Sequence, residues 1–150
     1  MKKTIFVIHG PNLNMLGIRE PDKYGNETYD MLISKITDYC HANFEDLECE
    51  FYQSNHEGAL VDRIQQAYFE KADGIVINPG AYTHTSIAIP DALRCLSVPV
   101  AEVHLSDINN REEYRKHSYI SETASFFVCG KGFEGYREAI LFFVHNGEKL

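Results

Sequence analysis

Residues 74–78, Gly-Ile-Val-Ile-Asn, and 98–103, Val-Pro-Val-Ala-Glu-Val, decide how this chain is read. Neither run alternates apolar with polar positions, as a strand with one wet face would. Runs of this kind suit strands covered on both faces, the situation of a parallel sheet packed between helices. Three further β-branched or aromatic runs, at about 4–9, 47–54 and 125–129, extend the set to five. Between them lie stretches with helical spacing at about 29–44, 58–70, 85–95 and 135–146, and a short turn near 111–116. In the first stretch Met31, Leu32, Lys35, Ile36, Tyr39 and Cys40 recur at intervals close to three and four. Asn26 or Thr28 is placed to cap its start.

Strand and helix alternating in this way predict right-handed crossovers and an α/β, flavodoxin-like doubly wound sandwich around a five-stranded parallel sheet. No repeat, linker or low-complexity segment divides the 150 residues. One catalytic domain, 1–150, is therefore expected, large enough to bury ~70% of the surface its unfolded chain exposes. No apolar stretch approaches the ~18–20 residues of a membrane span. The apolar run behind Lys2 and Lys3 stops at His9-Gly10, too early for a signal peptide. A cytoplasmic location is the expectation.

The net charge of −8, with 14 basic residues scattered among 22 acidic ones, argues against a nucleic-acid partner. An anionic small molecule remains compatible with it where a pocket is locally basic. Cys40, Cys49, Cys95 and Cys129 show no CxxC spacing, and three lie in apolar surroundings, so buried reduced thiols are expected. No HExxH, paired-cysteine or histidine-cluster spacing occurs, and no metal or other cofactor is expected.

The segment 8–25, IHGPNLNMLGIREPDKYG, is too long to be a mere connection, since such loops usually take ~2–6 residues. Its Asn, Arg and Tyr side chains mark it as a lid over a site, at about 10–26. In a doubly wound fold ligands bind outside the carboxyl ends of the strands. The polar clusters fall at four of those ends: HGPNLN with Arg19 and Tyr24, then QSNHEG at 53–58, NPGAYTHTS at 78–86, and EVHLS at 102–106 with Arg111 and Arg115 beyond. Four such clusters converging on one rim make a site.

Taken together, GPNLNMLGIREPDKYG at 10–25, QSNHEG at 53–58, NPGAYTHTSIAIPDAL at 78–93, EVHLSDINNREEYRKHSYIS at 102–121 and GFEGYREAI at 132–140 resemble the type II 3-dehydroquinate dehydratases. The likeness runs in order through nearly the whole chain. It implies dehydration of 3-dehydroquinate to 3-dehydroshikimate, in the shikimate route or in quinate breakdown. It also implies trimers assembled into a dodecamer. Two departures stand out: Pro90 where the family pattern has Arg, and Asp107-Ile108-Asn109-Asn110 in place of an Asn-x-His-Ala stretch.

Removing water from a β-hydroxy ketone takes a base for the α proton, a stabiliser for the enolate and an acid for the departing hydroxyl. The resemblance makes Tyr24 the base. A phenol of pKa ~10 is ionised to only ~0.1% at neutral pH, a penalty of ~4 kcal/mol. A fixed cation nearby lowers such a value by ~1–3 units, and Arg19 is that cation by resemblance. Asn12, just past the first strand, is placed to hold a water or the enolate oxygen. His104 takes the acid role, for which an imidazole is suited near neutrality. Glu102, two residues earlier on the same strand face, orients or charges it. Asn78, His84, Leu105 and Ser106 are expected at the substrate's carboxylate and hydroxyls, and Arg115 at its ring hydroxyl side. Asp91 is expected to reach into a neighbouring subunit's site. Arg111 and Lys116 read as solvated charges, His9 as a structural or surface group, and Tyr29 and Tyr136 have no claim on catalysis. The alternative of a flavin- or nucleotide-binding module is disfavoured by Pro11 and Leu13, which suit a phosphate nest poorly. A catalytically dead scaffold is disfavoured because every catalytic position is filled.

Overall fold

The computed structural model describes residues 2–18, 22 and 26–147. Five strands, β1 (Lys3–His9), β2 (Leu47–Gln53), β3 (Gly74–Asn78), β4 (Val100–His104) and β5 (Phe126–Cys129), form one sheet in the order β2-β1-β3-β4-β5. Every neighbouring pair is parallel. This is the flavodoxin-like order, with its switch point between β1 and β3.

Alternate residues of the central strands feed two separate cores. Ile5 and Val7 of β1, Val76 of β3 and Val103 of β4 pack under α1 (Tyr29–Asn43) and α4 (Phe133–Gly147). Phe6, Ile8, Ile75 and Ile77 pack under α2 (Glu57–Phe69) and α3 (Ala88–Leu93). β3 and β4 are buried along their whole length, which is why their sequences do not alternate. At the start of β3 the chain must be glycine, because a Cβ on Gly74 would stand 2.6 Å from the Phe143 ring.

Several boundaries differ from the expected ones for local reasons. β4 begins at Val100, since Pro99 offers no N–H to the ladder and contributes only its carbonyl, to Ile75 N. The helix expected over 85–95 is shorter, α3 alone, and a 3₁₀ turn, Gly80–His84, precedes it. Pro90 falls in the first turn of α3, where an amide proton would have no intrahelical partner in any case. Thr28, not Asn26, caps α1, accepting from Met31 N at 3.2 Å. Of the four cysteines, all free, only Cys40 is buried; Cys49 and Cys129 are half-buried and Cys95 is exposed. No helix among the described residues is long and apolar enough to cross a membrane.

Candidate active site

The carboxyl ends of β1, β3 and β4 open onto one cavity of about 120 Å³. Two close backbone approaches shape its floor. A Cβ on Gly10 would lie 2.1 Å from the Pro79 carbonyl oxygen, so the loop after β1 sits directly on the turn after β3. Gly80, at φ 60°, faces Pro11 from the other side. The β1 loop supplies Pro11, Asn12 and Leu13 to the wall. Leu13 and Leu16 are buried in the core, so the first part of the expected lid is anchored to the sheet. Arg19 and Tyr24 lie outside the described residues.

Asn12 adopts left-handed backbone geometry (φ 68°) at the start of a 3₁₀ turn, Leu13–Met15, and its carboxamide makes no cap bond there. Its own N–H is held by Asn55 Oδ1 at 3.0 Å, an oxygen that also accepts from Gln53 Nε2 at 3.2 Å. Tyr82 Oη donates to the Asn55 carbonyl at 2.8 Å. The cluster after β2 therefore buttresses Asn12 from behind and does not line the cavity.

β4 ends in the group with the clearest chemical polarity. Glu102 is fully buried and His104 nearly so, and His104 Nε2 lies 2.5 Å from Glu102 Oε2. Ser118 and Ser121 donate their hydroxyls to the two carboxylate oxygens, each at 2.7 Å. Burial alone would raise the Glu102 pKa. The hydrogen bond and charge of His104, with the two seryl hydroxyls, outweigh it and hold the carboxyl below its usual range. An ionised Glu102 accepts only, so Nε2 carries a proton and Nδ1 is the imidazole nitrogen that can serve a ligand.

Around this pair stand His84, Leu105, Ser106, Arg111 and Arg115, all on the cavity wall. His84 donates Nδ1–H to the His117 carbonyl at 2.7 Å. Burial chiefly lowers the His84 pKa, helped by His104 and Arg115, so the ring is neutral and offers Nε2 as an acceptor. Arg115 Nε lies 2.9 Å from Glu112. Arg111 is not the solvated charge its sequence suggests. Its side chain is 10% exposed, and Nη1 donates to Ser106 Oγ at 3.3 Å. The two arginines make this a locally basic pocket in an acidic protein. Arg111 closes one 3₁₀ turn, Ile108–Asn110, and Arg115 ends the next, Glu113–Arg115, and both reach the cavity wall. Lys116, by contrast, is a surface group paired with Glu113. Asp91 is exposed, paired with Arg94 at 3.1 Å, and stands outside its own chain's cavity.

Asn78, the last residue of β3, is on the wall and 3% exposed. Behind it sit His9 and Tyr136, both fully buried, with His9 Nε2 2.9 Å from Tyr136 Oη. Burial pushes His9 down to about 3 from 6.5. The sign of the consequence is fixed: below pH ~6.5 the unfolded chain takes up a proton that the folded ring refuses, so stability falls as pH drops from there toward 3. We expect this group alone to remove about 2 kcal/mol between pH 7 and pH 5. Urea unfolding at the two pH values measures it, and His9→Gln should flatten that part of the dependence.

Residues 3–144 match the model of the family described as Dehydroquinase class II. A 3-dehydroquinate dehydratase of Polynucleobacter asymbioticus is 51% identical over 139 residues, 93% of this chain and 92% of its own. The 3-dehydroquinate dehydratase 2 of Pseudomonas putida is 52% identical over 143 residues, covering 95% of this chain and 94% of the relative. Among solved structures, the type II dehydroquinase of Butyrivibrio crossotus superposes with a TM-score of 0.91 at 51% identity, covering 95% and 97% of the two chains. That of Propionibacterium acnes gives 0.87 at 40% identity over 95% and 96%. With fold and nearly the full length in agreement, the chain belongs to the class II dehydroquinase family.

Proposed function

We propose that this chain dehydrates 3-dehydroquinate to 3-dehydroshikimate, as a hydro-lyase working through an enolate. The observation that carries the reading is the buried Glu102–His104 pair opening into a cavity with two arginines. A carboxylate-bearing β-hydroxy ketone meets there a cationic wall for its charge and an imidazole for its leaving hydroxyl. Ionised Glu102 occupies Nε2 and leaves Nδ1 for the ligand, and an Nδ1–H protonates the hydroxyl as the C–O bond breaks. Asn12 holds the enolate oxygen, directly or through a water, with its otherwise unused carboxamide.

Tyr24 is the base that removes the α proton, and Arg19 the cation that keeps it a phenolate; both ride on the lid of about 10–26. Asn78, His84, Leu105, Ser106 and Arg115 bind the substrate's oxygens, with Nε2 of the neutral His84 accepting from a hydroxyl. Arg111, missed by sequence reasoning, joins them through Ser106 Oγ. Asp91 does not line its own cavity and serves a neighbouring subunit in a dodecamer of trimers. The protein works as a single domain in the cytoplasm, within aromatic biosynthesis or quinate breakdown. A flavin-phosphate nest has no support, since Pro11 lacks the N–H such a nest needs and Leu13 fills the adjoining wall.

Adding 3-dehydroquinate to the purified chain and following the ultraviolet absorbance of a conjugated enone tests the reading. Steady growth of the band is expected, and an unchanged spectrum would overturn it. Because no step passes through a Schiff base or a metal, borohydride with substrate and treatment with a chelator are each expected to leave the rate unchanged.

A further inference from the structure

Behind the cavity runs a buried line of polar side chains drawn from four elements, and its hydrogen atoms can be placed by elimination. A backbone N–H only donates, so Gly80 N, 3.2 Å away, fixes which end of the Asn78 carboxamide is oxygen. Nδ2 therefore faces Tyr136 Oη, at 3.3 Å, and donates to it. Tyr136 must then place its own proton within a fully buried environment. The acceptor that the described residues offer is His9 Nε2, at 2.9 Å. With Nε2 accepting, the imidazole proton belongs on Nδ1, where it is donated to Tyr29 Oη at 3.2 Å. The opposite tautomer would aim two N–H groups at Tyr136 and leave the phenol proton without an acceptor in the core. Burial keeps the His9 ring neutral, as a side chain giving one proton and accepting one must be.

We propose that His9 and Tyr136 are positioning residues, which fix the direction in which Asn78 presents its second N–H to an oxygen of the substrate. The proposal rests on the dehydratase reading above and deepens it. Asn78 already has its oxygen tied to Gly80 and one N–H tied to Tyr136. What remains for the cavity is a donor held in place before substrate arrives. His9 sets the polarity of the line: by accepting from Tyr136 it ensures that the phenol oxygen can only receive from Asn78. Tyr29, which opens α1, anchors the far end, and its ring meets His9 edge-on at 5.0 Å.

The test combines kinetics with the state of the imidazole. Tyr136→Phe keeps the ring and deletes the acceptor. His9→Gln keeps an acceptor near the place of Nε2, whereas His9→Asn is too short to reach Tyr136. Tyr136→Phe and His9→Asn are expected to raise KM for 3-dehydroquinate about 3–10-fold, the effect of one misdirected hydrogen bond, with kcat within about twofold. His9→Gln should restore KM. In an Asn78→Ala background the Tyr136→Phe effect should disappear, because these residues act only through that carboxamide. Effects that persist in that background, or a His9→Gln no better than His9→Asn, would overturn the proposal. If Tyr136→Phe does not fold, the two His9 variants carry the comparison. Independently of turnover, nitrogen-15 spectra of the unaltered protein should show a pyrrole-type Nδ1 and a pyridine-type Nε2 for His9. The reverse pattern would overturn the proposal even if the enzyme proves active, while a chain with no turnover but the expected tautomer would overturn the dehydratase reading alone.

Discussion

Replacing His104 by Ala is expected to lower kcat for dehydration by about 10²–10⁴-fold, the range contributed by a positioned proton donor. The substrate's carboxylate contacts are untouched by this change, so KM should move far less than kcat. Glu102→Gln should also fall steeply, because it removes the anion that accepts from His104 Nε2. The amide also brings donor protons to a site where Ser118, Ser121 and His104 Nε2 all donate. The amide N–H₂ then meets a donor unless a seryl hydroxyl turns to accept from it and gives up its own bond to the side chain. Stopped-time assays of the two variants, alongside their thermal midpoints, separate lost chemistry from lost folding. A His104→Ala enzyme within about threefold of the parent would remove the imidazole from the acid role.

The second large effect concerns the lid. Tyr24→Phe should abolish nearly all turnover while leaving the binding of product or of substrate analogues intact. Arg19→Ala keeps the phenol but takes away the cation that favours its ionised form. The rising alkaline limb of the rate profile should move upward by ~1–3 units. Activity would then partly return as pH approaches 9–10, roughly where an unassisted tyrosine ionises. Arg19→Lys should be intermediate, since an ammonium supplies charge without the planar fork. If Arg19 instead grips the substrate or closes the lid, its variants would bind more weakly with unmoved inflections. Rate measured against pH for the Arg19 variants decides between the two.

The sheet was legible because its order follows from backbone needs that leave direct marks in sequence. β3 and β4 do not alternate because helices cover both faces, and Asn78, Glu102 and His104 are the polar positions within them. Boundaries that a single residue controls were less legible. Pro99 delays β4, and the region after Asn78 folds into a 3₁₀ turn before α3 because Gly80 bends the chain back against Pro11. Neither effect shows in an apolar periodicity.

The site was legible to the extent that its residues sit on strand ends. His104 and Glu102 share a strand face, and Asn78 closes the strand beside them, so spacing and topology brought all three to one rim. Two sets of contacts illustrate what spacing leaves out. Arg111 is drawn inward by Ser106, a contact set by the turn between them. His9 and Tyr136 are 127 residues apart and meet because α4 packs over β3 and β4, in one core with the inner face of β1. The cluster at 53–58 shows the opposite error: its polar residues look like part of the wall, yet they brace Asn12 from behind.

The central claim is a division of labour, in which Tyr24 makes the enolate and His104 completes the elimination. Deuterium incorporation at the α carbon of recovered 3-dehydroquinate, measured for His104→Ala in D₂O, tests it most directly. Proton removal should survive the loss of the acid, so exchange is expected to outpace both dehydration by this variant and exchange without enzyme. Exchange at the enzyme-free rate would contradict the claim, for it would mean that His104 is needed to break the C–H bond itself.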